Sequence, residues 1–250
     1  EKTGRSKPKA SWWSNGYKKH SLFMSLYLRE LANYRSSYML MINTSLGVLV
    51  LLGYSLALLV LPPTKLEQML GPTGMAGQME HFAPLLVVAC LSVAGTTASA
   101  LSLEGEHIWQ LQSLPISLRE VANSKLALNL SLHALAYIPA ILVLVWCYHL
   151  SVLELGLMFV IAASYSLTIS TLGLYANLQH PNYHWDNETI VIKQSLPVIQ
   201  SSVLSMILIG LPLAVSWICK VSLELSLFGI SVLVLPLLTL FLYRRIVKVS

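Results

Sequence analysis

Two groups of polar side chains in this 250-residue chain have the types and spacing that chemistry needs. His180-x3-His184-x-Asp186 carries the donors of a two-histidine, one-carboxylate metal centre. Pro181 breaks the helix that would bring both imidazoles to one face, so a structured loop without metal is the expected reading. Glu104 and Glu106 stand two residues apart and on a helix would not face each other, which disfavours an acid–base carboxylate pair. Lys125, Asn129, His133 and Tyr137 recur every four residues and share a helical face. Such a file is either hydrogen-bonded glue between helices, the commoner use, or a stripe facing water or substrate. On the second reading Asn129, His133, Tyr137, Thr168 and Thr171 form a candidate substrate path. No serine sits in a nucleophile elbow, no His-Glu-x-x-His occurs and no Walker phosphate loop is present. The chain therefore reads as a non-enzyme, with no catalytic residue, no metal and no cofactor of its own.

The elements that must position these groups are membrane spans. The chain is 55% hydrophobic and only 11% charged, where a soluble domain has about 25% charged residues. Its mean hydropathy is +0.66. The apolar residues fall in runs of about 20, long enough to cross a bilayer as helices. Cys90, Cys147 and Cys219 lie in three different runs and read as core residues. Glu1 in place of a methionine suggests a piece or a processed form, and no signal peptide is visible.

Residues 1–19 read as a basic linker, more suited to anionic lipid than to nucleic acid. Residues 20–37 read as an amphipathic interfacial helix, with Phe23, Leu26, Tyr27, Leu31 and Tyr34 on one face. Residues 38–250 then form a six-span domain. The expected spans are Tyr38–Leu61, stopped by Pro62-Pro63, then Phe82–Leu103, Val121–Leu150, Val152–Ala176, Leu196–Cys219 and Leu225–Tyr243. Thr64–His81 reads as a loop. In the second span Ser92, Gly95, Thr96 and Ser99 are small residues that let another helix approach. Lys125, near the end of the third, can snorkel to the interface. Asp186 is a plausible N-cap for the helix leading into the fifth. The fold class is thus an all-α membrane bundle of six transmembrane helices preceded by an amphipathic elbow helix.

Six spans put both termini on one side. With the termini inside, inner segments hold Lys/Arg 2, 5, 7, 9, 18, 19, 29, 35, 119, 125, 193, 244, 245 and 248, and only Lys65 and Lys220 fall outside. The positive-inside rule then makes the termini cytoplasmic, together with the loops 104–120 and 177–195. The first loop is polar with a few apolar teeth. Ile108, Leu111 and Pro115 recur at helical spacing with Trp109 beside them, and Ser117-Leu118-Arg119-Glu120 has the pattern of a capping box. A short helix held between two spans suits a lever pushed by a soluble partner; an ordinary interfacial loop is the alternative.

Ser102-Leu103-Glu104-Gly105-Glu106-His107-Ile108-Trp109-Gln110-Leu111-Gln112-Ser113-Leu114-Pro115-Ile116-Ser117 resembles the SLEG-x-x-x-W-x-L-x-S-L-P-I/V-S segment of prokaryotic ABC-type exporter permeases of the type-2 class. Asn177-Leu178-x2-Pro181-x-Tyr183-x-Trp185-Asp186-Asn187-Glu188-Thr189-x3-Lys193-Gln194-Ser195 is similar to that family's NL-x-x-P-x-F-x-W-x-NE-x-x-x-x-KQS, with Tyr183 in place of the usual Phe. The resemblance covers the chain from about Leu22 to its basic end and matches the second half of a longer permease. It implies a transmembrane permease subunit moving substrate by alternating access, driven by a separate ATP-binding subunit that carries ATP and Mg2+. A second six-span half and membrane lipid are the other implied partners. Glu104, Gly105, Glu106, His107, Ile108, Trp109, Leu111, Leu114 and Pro115 would form the coupling helix, with Ile108, Trp109, Leu111 and Leu114 as buried anchors and the glutamates at the rim. Trp185, Asp186, Asn187, Glu188, Lys193 and Gln194 would form the second cytoplasmic loop. A membrane scaffold or sensor without transport is the competing reading, and an intramembrane enzyme using His133 or the His180/His184 loop is the more remote one.

Overall fold

The computed structural model describes residues 21–70 and 79–248. The basic linker expected over 1–19 lies outside the described residues, as do the glycines of the 64–81 connection. Among the described residues every regular element is helical.

Helix α1 spans Leu22–Ser36, capped by the Ser21 side chain, which accepts from the Met24 amide. A single extended residue, Ser37, ends α1 and caps α2, Tyr38–Val60. The chain turns at Pro62 and enters a short helix, α3, Pro63–Leu70, so the expected loop is partly helical. Helix α4 runs Met79–Val93. A 3-10 turn, Ser102–His107, leads into the one-turn helix α5, Ile108–Gln112. Helix α6, Leu118–Tyr148, starts on the expected capping box of Ser117 and Glu120. Helix α7 spans Val152–Gln179. A π turn, Ile190–Gln194, precedes α8, Leu196–Cys219. Helices α9, Leu223–Gly229, and α10, Leu235–Lys248, are joined through a π turn at Ile230–Val234 and form one continuous crossing.

Among the described residues five segments are long and apolar enough to cross a bilayer: Tyr38–Val60, Leu118–Tyr148, Val152–Gln179, Ile190–Cys219 and Leu223–Lys248. The remaining expected span is a shorter apolar helix, His81–Val93. The helix expected to reach Leu103 stops at Val93 because buried amides on neighbouring helices replace its own ladder. Asn129 on α6 accepts from the Thr96 amide at 2.7 Å, and Asn177 on α7 accepts from the amides of Leu101 and Ser102 at 2.7 and 3.2 Å. Irregular backbone at this depth survives only where protein encloses it and satisfies it.

Close approach of backbones makes that enclosure possible. A Cβ on Gly173 of α7 would lie 2.6 Å from Thr97 Oγ1 and 3.0 Å from the Ala98 nitrogen. A Cβ on Gly47 of α2 would lie 2.2 Å from the Cys90 carbonyl oxygen of α4. The glycines that allow this approach lie on the neighbouring helices, Gly173 and Gly47; a Cβ on Gly95, one of the small residues expected to do so, would meet nothing nearer than 4.0 Å. Leu51, Val87, Leu91, Ala140, Ile141 and Leu144 form one core between α2, α4 and α6. Val88, Tyr165, Ile169, Leu227 and Leu235 form a second around α7. Helix α7 is the most enclosed long crossing and the α8 segment the least.

Candidate functional site

The site is built where α1, the 102–112 segment and the start of α6 meet. Helix α1 turns Leu26 and Glu30 inward. Leu26 packs with Leu111 of α5 and Val121 of α6, flanked by Ile108 and Ile116. That apolar seam fixes α5 against two other elements. Beside it four charges close into a ring. Lys125 Nζ donates to Glu30 Oε2 at 2.8 Å, to Glu104 Oε1 at 2.7 Å and to the Ala100 carbonyl at 3.0 Å. Arg29 binds both oxygens of Glu104, at 3.2 and 2.5 Å, and reaches Glu30 at 3.3 Å. Lys125 is 2% exposed and spends all three ammonium protons inside the protein, so it does not snorkel to the interface as expected. Burial alone would push the Glu104 carboxyl up. Lys125 and Arg29 outweigh that and hold it below the usual carboxylate range. A buried charge is tolerated because each one faces the opposite sign.

The ring floors an open cavity of about 320 Å3 that Asn33, His107, Gln110 and Glu188 help to line. Glu188 ties the second loop to the break between α1 and α2, accepting from Ser37 Oγ at 2.6 Å.

The two polar loops are stitched to each other through Ser102. Asn177 Nδ2 donates to Ser102 Oγ at 2.6 Å, the Asn182 amide donates to the same oxygen at 3.0 Å, and Trp185 Nε1 donates to the Ser102 carbonyl at 2.7 Å. The Trp185 ring lies over Gly105, whose φ of 55° and ψ of −141° suit glycine, and a Cβ there would meet the ring at 3.3 Å. A positive φ and a stacked indole thus both require Gly105.

The residues expected to form the coupling segment divide into two sets. Glu104, Gly105 and Leu111 are buried within this chain, and Ile108 is half-buried. Glu104 therefore serves Lys125 and Arg29 rather than standing at a rim. Glu106, His107, Trp109, Leu114 and Pro115 are exposed, Trp109 to 60% and Leu114 to 50%. In the second loop Trp185 and Glu188 point into the lattice, while Asp186, Lys193 and Gln194 are exposed. Asp186 does not cap the helix leading into the fifth span: the π turn and α8 start at Thr189 and Ser195 without a side-chain cap, and Asn187 closes the turn before them, accepting from the Thr189 amide at 2.9 Å. A short Asx side chain two residues before that amide closes the turn better than its neighbour.

The polar file on α6 is hydrogen-bonded from Lys125 to His133. Asn129 Nδ2 donates to Ser170 Oγ at 2.6 Å and His133 Nδ1 meets Ser166 Oγ at 2.8 Å. Tyr137 packs edge-on to Phe159 with ring centroids 6.2 Å apart. Thr168 meets Thr239 at 2.8 Å, and Thr171 donates to its own Leu167 carbonyl. No group of three or more potential metal ligands exists among the described residues, and His184 faces Glu106 at 3.8 Å. Sequence reading missed the ring because Arg29, Glu30, Glu104 and Lys125 come from three separate segments. Its one available signal was a lysine inside a span, which needs a carboxylate.

A family model for a membrane protein of 12 TMs matches residues 73–245. No curated protein and no solved structure matches the chain. The match covers well over half of the chain and falls on a bundle of bilayer-length apolar helices. This chain therefore belongs to that family of twelve-span membrane proteins and is itself a multi-pass membrane protein.

Proposed function

We propose that this chain is a transmembrane permease half of an ATP-binding-cassette exporter of the type-2 class. A separate subunit binds and hydrolyses ATP with Mg2+, and a second six-span half, the same or another chain, completes the unit. Twelve spans in the family accord with two such halves. The orientation rests on fourteen basic residues against two, which puts the termini and both polar loops in the cytoplasm.

The observation that carries the reading is the two-sided build of the 102–112 segment. Trp109 within it and Leu114 just beyond it are exposed, while Glu104, Leu111 and Ser102 tie the segment to α1, α6 and α7. Exposed tryptophan is the side chain that most often anchors a protein partner. A push on Trp109 is therefore delivered to three helices at once, which is what tipping a bundle between two open states requires.

Co-purification with an ATP-binding subunit from native membranes tests this, with hydrolysis that rises when the two combine. Trp109→Ala lowers coupled hydrolysis or binding by tenfold or more, about 2 kcal/mol for an interface anchor, and leaves permease unfolding unchanged. A folded protein that captures no such subunit, or one indifferent to Trp109→Ala, overturns the proposal in favour of the scaffold reading.

A further inference from the structure

A lateral trough opens between α1, α6, α7 and α10, away from the charge ring. Its volume is about 530 Å3, within the range of small-molecule sites. Helix α6 contributes Asn123, Leu126, Ala127 and Leu130, and α10 contributes Pro236, Thr239, Leu240 and Tyr243. Both sets follow the three- and four-residue steps of one helical face. The hydroxyls along it are already used: Thr239 meets Thr168 and Thr171 bonds its own helix. The walls are therefore apolar in effect.

The trough has a polar head. Tyr243 donates its hydroxyl to Asn123 Oδ1 at 2.7 Å, which leaves the Asn123 amide protons without a partner among the described residues. Arg119 stands one turn before Asn123 on α6, and Arg244 directly follows Tyr243 on α10, four residues after Leu240. Both are exposed, and neither enters an ion pair or hydrogen bond among the described residues. The nearest carboxylate on α6, Glu120, is committed to the cap at Ser117. An apolar slot headed by unspent donors and two free positive charges is complementary to an anionic amphiphile.

We infer that this trough binds an anionic phospholipid, with one acyl chain along Leu126, Ala127, Leu130 and Leu240 and the phosphate between Arg119 and Arg244. The inference does not depend on the ATP-driven reading. Burial of methylenes gives the chain its affinity, and two arginines set the preference for negative charge.

The whole chain, purified in detergent and supplied with phosphatidylglycerol or phosphatidylcholine, is read by native mass spectrometry for retained lipid. One phosphatidylglycerol is expected to be held in preference to phosphatidylcholine. Arg119→Gln/Arg244→Gln lowers that preference about thirtyfold, from two arginines near an anionic headgroup. Arg35→Gln, an exposed cation away from the trough, leaves it unchanged. Ala127→Trp fills the slot and releases the lipid with both arginines intact. Equal retention of the two lipids overturns the inference, as does an Arg35→Gln effect as large as the double variant's. Retention by Ala127→Trp, or equal binding of glycerophosphoglycerol without acyl chains, overturns it as well.

Discussion

The two ends of the bundle are fastened in different ways. At the end carrying the 102–112 segment, Lys125 and Glu104 are 2% and 7% exposed and join elements far apart in sequence. At the opposite end, among the described residues, His81 Nδ1 meets Glu224 Oε1 at 2.8 Å, and both side chains are more than half exposed. Helix ends there are closed locally, by the Ser151–Glu154 capping box and by left-handed residues at His149 and Lys220. Among the described residues, the other bonds that bridge helices at this end are neutral: Tyr54 meets Tyr148 at 3.0 Å, Cys147 Sγ donates to the Leu58 carbonyl at 3.5 Å, and Ser226 Oγ donates to the Pro212 carbonyl at 2.9 Å. Buried charged bonds between distant segments knit the first end, while the second is held by local caps and neutral or solvated contacts, which resist opening less.

The sharpest way to break the contrast is Glu104→Gln, which leaves Lys125 and Arg29 undercompensated in the interior. Thermal unfolding in detergent should show a loss of about 3–5 kcal/mol, and adding Lys125→Met should recover much of it. Next comes Asn177→Ala, which strips the acceptor from two buried amides; about 2–3 kcal/mol should be lost, with the Trp185 environment altered in fluorescence. Acid sharpens the same point. Glu104 is held below the usual carboxylate range, so its contribution is complete above that range and is lost as pH falls through the lowered value. The melting temperature should drop on acidification below about pH 4, and the part of that drop owed to Glu104 should vanish in Glu104→Gln/Lys125→Met. The smallest effect belongs to the other end: His81→Gln should change stability by less than about 1 kcal/mol, as for any solvated pair. A His81 effect as large as that of Glu104 would erase the difference between the two ends.

Much of this fold was legible from the sequence because bilayer spans are written in composition. The α8 limits, the Ser117 cap and the break at Pro62-Pro63 follow from local rules about runs, caps and prolines. The early stop of α4 was not legible. Its cause lies in Asn129 and Asn177, which read as ordinary polar groups on their own helices until the neighbouring amides are in place. The same holds for Glu104: a rim position was the natural expectation in a polar loop, and only the arrival of α1 and Lys125 turns it inward. Trp109 and Leu114, expected as anchors for a partner, are exposed in this chain, since a short turn leaves few places to hide them.

The unwound stretch after α4 has a consequence for how the bundle can move. Two of its amide stations, at Thr96 and at Leu101–Ser102, are read by side chains from different spans, Asn129 on α6 and Asn177 on α7. Sliding one of those spans past the other by a single helical turn, about 5.4 Å, would take one asparagine off its station and leave a buried N–H bare. Shear between α6 and α7 is thereby penalised, whereas rocking of the pair as a unit leaves both stations occupied.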